Sequence, residues 1–311
     1  MSQNLVIVIA GPTASGKSQL AIDLAMDLNG VVINSDSMQV YQDTPILSAC
    51  PSEADYKLVP HYLYQIFSAS VQSSVFDWLD LAVAEIEKAF ESKKLPIVVG
   101  GTGFYIDALV NGLTPIPETK PEIKARVKTL LEEKGVNELH NDLKDFDPVS
   151  YAVLKPNDVT RVRRAWEVYL NTGVPISEWQ TKPKEKKIDA KFLVIRLLPE
   201  TVEIDKRCYI RLDGMMKNGA LDEVKRLSLK KLDREIPAMK ALGVPELMAY
   251  IDGEITLDEA VESAKLHSRQ YAKRQKTWFR NKLDANVTID KVYNGQKDML
   301  KTVLREVDNF R

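Results

Sequence analysis

The chain has 311 residues, enough for one large domain or a core with a smaller attached unit. With 44% hydrophobic and 28% charged residues and a net charge of -1, it is neither a disordered chain nor a protein drawn to nucleic acid by global charge; an RNA surface must come from local clustering. Cys50 and Cys208 are too few and too far apart for a disulfide framework. His61, His140 and His267 do not cluster with them, so no zinc site is expected.

Residues 1–4 carry no basic segment, and the apolar run after them is too short to span a bilayer, so a cytoplasmic protein without a membrane partner is expected. That run, Leu5–Ala10 (LVIVIA), has the pattern of a strand buried on both faces in a parallel sheet. Gly11, Pro12, Thr13, Ala14, Ser15, Gly16, Lys17 and Ser18 follow and fit G-x-x-x-x-G-K-[ST] in full. Residues 19–28 then show apolar spacing of a helix. Strand, loop and helix in that order make a phosphate cradle. Loop amides converge at the positive end of the helix, Lys17 adds a charge, and the Ser18 hydroxyl suits Mg2+. Such a loop serves a kinase, a GTPase or an enzyme whose leaving group is pyrophosphate.

Residues 31–34 (VVIN) predict a second strand, and Asp36 follows it in NSDSMQ. Ligands of open α/β sheets bind beyond the carboxyl ends of strands. A carboxylate there can bind Mg2+ or take a proton from an acceptor; it can equally cap a helix or shape a turn. Phe76, Leu79, Val83, Ile86 and Phe90 mark an amphipathic helix. Residues 96–99 predict a third strand, ending at Gly100, Gly101, Thr102 and Gly103. Small residues there admit close approach of a ligand or backbone, or simply make a turn.

Thr114-Pro115-Ile116-Pro117 changes the character of the chain, which reads as helical to about Trp179. Residues 181–187 (TKPKEKK) read as a charged linker, and residues 191–198 (KFLVIRLL) return to strand. The predicted fold class is α/β: a P-loop NTPase-like core with a parallel sheet and flanking helices. It is discontinuous over residues 1–113 and 186–311, with an all-helical insertion at 114–185. From Thr201 the chain is mostly helical, with a late strand expected at 285–289. Residues 265–282 (KLHSRQYAKRQKTWFRNK) hold seven Lys or Arg and no acid. On a helix, Arg269, Lys273, Lys276 and Arg280 line one face. With Tyr271, Trp278 and Phe279 interleaved, that face suits an RNA backbone and unstacked bases; a solvated surface is the alternative. Arg161, Arg163 and Arg164 open a helix of the insertion and, taken alone, read as surface decoration.

In order along nearly the whole chain, these motifs resemble the tRNA dimethylallyltransferases of bacterial type, the IPP transferase family. GPTASGKS is similar to the family's P-loop, NSDSMQVY to its D-S-x-Q segment and VVGGTGFYIDAL to its G-G-T-G-x-Y segment. NDVTRVRRAWEVYLNTGVPISEWQ resembles its insertion helix and RQYAKRQKTWFR its late basic helix. The resemblance implies transfer of a prenyl group from dimethylallyl diphosphate, assisted by Mg2+, to the exocyclic amine of the adenosine on the 3′ side of the tRNA anticodon. A monomer is expected. Asp36 matches the general base. Thr13, Lys17, Ser18 and Arg211 match residues that handle the diphosphate. Asp36, Ser37, Met38, Gln39, Thr102, Lys124, Thr160, Arg161, Val162, Arg163 and Arg164 match positions that meet tRNA. So do Lys273, Arg274, Gln275, Lys276, Thr277, Trp278, Phe279 and Arg280. The chain departs from the pattern at Gln42 and Cys50, where many members carry a cation.

The rival readings are narrower. A small-molecule kinase needs no acid-free basic helix, and a prenyltransferase of free adenine nucleotide needs neither that helix nor the insertion. Asn281-Lys282-Leu283-Asp284 spells the N-K-x-D of GTPases, but it follows a basic segment rather than ending a buried strand. A non-enzymatic RNA-binding protein would not need a P-loop beside Asp36.

Overall fold

An apolar run without alternation can be stable only where both faces are covered. In the computed structural model, Val6 to Ala10 are all fully buried. Residues 4–311 are described, so the reading of residues 1–3 as free of basic charge lies outside the described residues. The six strands are β1 (Leu5–Ala10), β2 (Gly30–Asn34), β3 (His61–Tyr62), β4 (Leu95–Gly100), β5 (Lys191–Leu197) and β6 (Val287–Ile289). They form one parallel sheet in the order β3-β2-β4-β1-β5-β6. The two-residue β3 carries no sequence pattern of its own. The late strand is shorter than the expected 285–289, because only three residues reach register with Ile195, Arg196 and Leu197.

Between the strands run α1 (Lys17–Asp27), α2 (Glu53–Leu58), α3 (Val75–Glu91) and α4 (Gly103–Asn111). Ser74 and Asp77 form a reciprocal capping box that starts α3, and its Trp78, Leu79, Ala82, Ile86 and Ala89 are buried. The insertion contains α5 (Pro121–Phe146), α6 (Pro148–Val153), α7 (Val159–Thr172) and α8 (Ile176–Thr181). After β5 come α9 (Thr201–Lys217), α10 (Ala220–Ser228), α11 (Val244–Ile251), α12 (Leu257–Lys282) and, beyond β6, α13 (Lys297–Phe310). Thr256 and Glu259 cap the start of α12 in the same reciprocal way.

Contacts divide the chain into two units. One runs up to Val110 and resumes over Lys187–Arg311; the other is Asn111–Lys186. The second unit starts and ends near Leu113 and Glu185, which exchange backbone hydrogen bonds of 3.1 and 2.8 Å, so its closing pair includes one residue, Glu185, of the stretch that reads as a charged linker. Within it α5 packs on α7, burying Val127, Leu139 and Leu143 from one and Val162, Ala165 and Val168 from the other. No helix among the described residues is long and apolar enough to cross a membrane.

Candidate active site and nucleic-acid interface

β1 delivers the phosphate loop to the carboxyl edge of the sheet. Gly16 turns it into α1 with φ 89°, and a Cβ there would lie 2.0 Å from the carbonyl oxygen of Tyr293; only glycine fits. The loop is held from outside. Arg207 Nε donates to the Ala14 carbonyl (2.9 Å) and its Nη1 to Asn294 Oδ1 (2.8 Å), while the Tyr293 amide donates to the Ser15 carbonyl (3.1 Å). Inside the loop, Pro12 has no amide proton, the Ser15 amide goes to the Pro12 carbonyl (3.3 Å) and the Thr13 amide to Gln275 Oε1 (2.9 Å). The amides of Gly16, Lys17 and Ser18 lie at the start of α1, where no carbonyl stands one turn back, and they are suited to an anion.

Two cations face that anion position. Lys17 Nζ rests on the Pro12 carbonyl (3.3 Å). Burial pushes its pKa down to about 8; Asp36 opposes the shift and Arg211 adds to it. Arg211 Nη1 donates to Thr13 Oγ1 (2.8 Å), and burial lowers the guanidinium pKa from its ordinary value.

Asp36 is gripped through its backbone. Buried Asn34, at the end of β2, accepts from the Asp36 amide (2.8 Å) and donates to the Asp36 carbonyl (3.0 Å) and the Leu63 carbonyl (3.0 Å). The Trp78 indole donates to the Asn34 carbonyl (2.7 Å). One carboxylate oxygen of Asp36, Oδ1, accepts from the Met38 amide (3.0 Å). The other, Oδ2, lies 3.1 Å from where a Cβ on Gly101 would sit. Thr102 Oγ1 accepts from the Ser37 amide (2.9 Å) and donates to Ser37 Oγ (3.1 Å), tying the β4 turn to the Asp36 turn.

The Gln39 amide group donates to the carbonyls of Ser48 and Ala49 (3.0 and 2.8 Å). That turn is fixed in its turn by Glu223, 1% exposed, which accepts from the amides of Ile46 (2.7 Å) and Leu47 (3.0 Å). Burial raises the Glu223 pKa, with the Leu47 and Ile46 amides opposing.

Thr13, Lys17, Ser18, Asp36, Gln39 and Arg211 meet in one cleft of about 410 Å3, and the groups that hold them stand behind its walls. Thr13, Lys17, Ser18 and Arg211 line the side suited to an anion. Asp36, Ser37, Met38 and Gln39 supply a polar wall, and Leu47, Leu212, Met215, Ala241 and Leu242 an apolar one. The cleft can hold a diphosphate with a short apolar tail and present it to a carboxylate.

The basic helix sorts its residues by face. Lys273, Arg274, Thr277 and Trp278 line a groove with Gln270, Asn281 and Lys282, and Arg274 also reaches the cleft. Lys276 is turned away: its Nζ donates to the Pro199 carbonyl (2.5 Å) and Thr201 Oγ1 (3.2 Å) at the start of α9. Arg269 faces Asp205 at 3.9 Å, and Arg280 is exposed. The single row of four cations therefore breaks into free and engaged members. Phe279 is fully buried and offers no ring to a base, correcting its reading as a stacking residue. Gln275 is 6% exposed and bonded internally. Trp278 packs its ring over Gly103, where a Cβ would lie 2.1 Å away, so the last glycine of the β4 turn is a seat for this indole.

In the insertion, Lys124, Thr160, Arg161 and Arg163 are exposed, but Val162 is fully buried, so its side chain belongs to the core of that unit and not to an RNA surface. Arg163 and Arg164 pair with Glu167 at 3.5 and 3.7 Å, Arg164 also donates to Thr119 (2.7 Å), and Arg161 pairs with Asp158 at 3.5 Å. Sequence reading did not single out Asn34, Trp78, Arg207 or Glu223. Only Asn34, next to Asp36 at a strand end, carried any signal.

Residues 39–282 match the family described as IPP transferase. The chain belongs to the IPP transferase family. It is 43% identical over 282 residues to the tRNA dimethylallyltransferase of Paramagnetospirillum magneticum, covering 91% of this chain and 90% of that protein. It is 45% identical over 286 residues to that of Rhodospirillum centenum, covering 92% and 91%. The tRNA isopentenylpyrophosphate transferase of Bacillus halodurans superposes with a TM-score of 0.72 at 33% identity, covering 99% of this chain and 96% of that one. A eukaryotic dimethylallyltransferase acting on tRNA gives 0.82 at 30% identity, with 99% and 80% covered.

In this IPP transferase the departures at Gln42 and Cys50 have different settings. Gln42 is exposed. The Cys50 thiol is half-buried beside Ser48 Oγ (3.3 Å) and donates to the Gln39 carbonyl (3.6 Å), closing the turn that holds Gln39. Burial pushes its pKa up to about 11, so it is a neutral filler and not a reactive thiol.

Proposed function

We propose that this chain transfers the dimethylallyl group of dimethylallyl diphosphate to the N6 amine of the adenosine 3′-adjacent to the anticodon in tRNA, acting as a monomer in the cytoplasm. The observation that carries the reading is the juxtaposition of an anion cradle, an apolar wall and the Asp36 carboxylate in one cleft. The new bond joins N6 to the allylic C1, the C1–O bond breaks, the N6 proton passes to Asp36 Oδ2, and pyrophosphate leaves. An adenine amine is a poor nucleophile because its lone pair delocalises into the ring. Proton removal as the bond forms contributes about 10²–10⁴-fold. The allylic carbon tolerates developing positive charge, so the cradle's main task is the negative charge on the departing group. The loop amides, Lys17 and Arg211 are in place before the reaction begins.

Mg2+ fits this donor set. Mg2+ takes one or two protein oxygens and fills its shell with water and diphosphate oxygens. The Ser18 hydroxyl, on the cleft beside Lys17, is the protein oxygen that would hold it, with Asp36 left free to act as the base. Bound there, Mg2+ would neutralise diphosphate charge.

The tRNA contacts of this reading are Lys273, Arg274, Thr277, Trp278 and Arg280 on α12 and Ser37 to Gln39 with Thr102 in the unit that holds the cleft and, in the insertion by itself, Lys124, Thr160, Arg161, Arg163 and Arg164. Lifting the target base from its stack costs a few kcal/mol, roughly, which these contacts must offset. The test is direct. Purified protein, Mg2+, dimethylallyl diphosphate and unmodified tRNA are incubated, and the digested nucleosides are weighed. A donor-dependent prenyl gain on adenosine is expected. Gain on AMP alone would assign a free-nucleotide prenyltransferase, and no gain on either would return the cleft to the kinase reading.

A further inference from the structure

We propose that Gln275 is a positioning residue for the diphosphate cradle rather than an RNA contact, and that through it the basic helix sets the geometry of the donor site. The proposal rests on the reading of the cleft given above. Gln275 sits within the acid-free stretch of α12, but its side chain points inward and is 6% exposed. Its Oε1 accepts from the Thr13 amide of the phosphate loop (2.9 Å), and its Nε2 donates to the Gly101 carbonyl after β4 (2.8 Å). One planar amide therefore spans two strand ends, 262 and 174 residues away in the chain.

The consequence for the loop is specific. The Thr13 amide is drawn toward α12, so it is not among the amides available to an anion. With that peptide fixed, the Thr13 hydroxyl is placed to accept from Arg211 (2.8 Å), a cation of the cradle. The consequence for the other strand end is equally specific. Gly101 has no room for a side chain, because a Cβ would meet Gln275 Nε2 at 2.4 Å and Asp36 Oδ2 at 3.1 Å. Gln275 and the Asp36 carboxylate thus abut the same glycine, one fixing its carbonyl and the other crossing its α-carbon. Only an amide side chain offers an acceptor and a donor at once in this spacing. Methionine offers no donor and only a weak acceptor, and a glutamate carboxylate offers the acceptor alone until it is protonated.

The test uses the whole enzyme and two ligands measured separately: inorganic pyrophosphate with Mg2+, by calorimetry, and unmodified tRNA, by filter binding across a salt series. Retained folding is checked by circular dichroism and thermal melting. For Gln275→Met we expect the Kd of pyrophosphate to rise at least about tenfold, with tRNA affinity and its salt slope within twofold of wild type. In turnover, the loss falls on kcat and on the KM for the donor, not on the KM for tRNA. A pyrophosphate Kd that stays at the wild-type value overturns the proposal, whether tRNA binding weakens or not; weakened tRNA binding alone would make Gln275 an RNA contact. If Gln275→Met does not fold, Gln275→Glu decides. Relative to wild type at each pH, its pyrophosphate binding is expected to improve as pH falls from 8 to 6, because protonation restores the donor to Gly101. A pH-independent ratio overturns the proposal. Wild-type enzyme that binds pyrophosphate but prenylates no tRNA would overturn the assignment of the reaction and leave this result readable.

Discussion

Asp36 keeps one carboxylate oxygen on the Met38 amide and leaves the other beside Gly101, so a single residue is both anchored and able to accept a proton. Asp36→Asn preserves the Met38 bond and removes the base. We expect kcat to fall about 10²–10⁴-fold while the tRNA Kd stays within twofold; an unchanged single-turnover rate would remove Asp36 from the chemistry. Lys17 gives a prediction in pH. Its pKa in the empty cleft is pushed down to about 8 by burial, against the pull of Asp36. The free enzyme loses that charge as pH rises through 8, so kcat/KM for the donor should fall there. A bound diphosphate raises the lysine pKa again, so kcat should stay level to higher pH. The same depressed pKa has the opposite sign for folding: burying the charged ammonium costs stability below about pH 8, and that cost is relieved as pH rises toward 10.5. A donor profile flat from pH 7 to 9.5 would show that Lys17 does not titrate as its surroundings require. Asp36, Lys17 and Ser18 were legible in the sequence because strand, loop and helix flank them locally. Asn34, Arg207 and Glu223 were not, because their partners are set by the fold and a lone polar residue carries no pattern.

At the scale of elements, α12 does two tasks on two faces. Ala264, Ala272, Gln275 and Phe279 are buried, and Gln270, Lys273, Thr277 and Lys282 face a groove. Sequence spacing identified the cations but not which of them α9 would claim. Lys273→Ala with Arg274→Ala, both on that groove, should reduce the slope of log K against log salt for tRNA by about 1.4 to 1.8, the value for two phosphate contacts. Lys276→Ala should leave that slope alone and lower the melting temperature, since its ammonium is bonded to Pro199 and Thr201. A slope unchanged in the first variant would take this groove out of the interface. The loop carrying Gln39 depends on α10 in a comparable way. Glu223→Gln exchanges a carboxylate that accepts two amides for a group that can accept at one oxygen only. A loss of about 1–3 kcal/mol in urea unfolding is expected, with a weaker KM for tRNA because the Ser48 and Ala49 carbonyls hold Gln39. Equal stability in the two proteins would show that the turn is held by other contacts.

For the molecule as a whole, the cradle draws on β1, α9, α12 and the segment after β6, so filling it should stabilise all of them together. Pyrophosphate with Mg2+ at a hundred times its Kd is expected to add about 2.7 kcal/mol to the unit that holds the cleft, a melting shift of several degrees, and Lys17→Ala should abolish the shift. An equal shift in wild type and variant would mean that the anion binds elsewhere. The sequence by itself determined the parallel α/β class, the phosphate loop, the strand-end carboxylate, the helical insertion and the basic helix. Each of those is written in residues adjacent in the chain or repeated at helical spacing. The family was readable because its segments stand in order along one chain. Only the tertiary structure decided which cations remain free, that Phe279 and Val162 face cores, that Glu223 anchors the Gln39 turn, and that Gln275 joins Thr13 to Gly101. Those facts depend on which strand ends lie side by side. In a sheet ordered β3-β2-β4-β1-β5-β6, neighbours in space are far apart in sequence, and no local pattern records them.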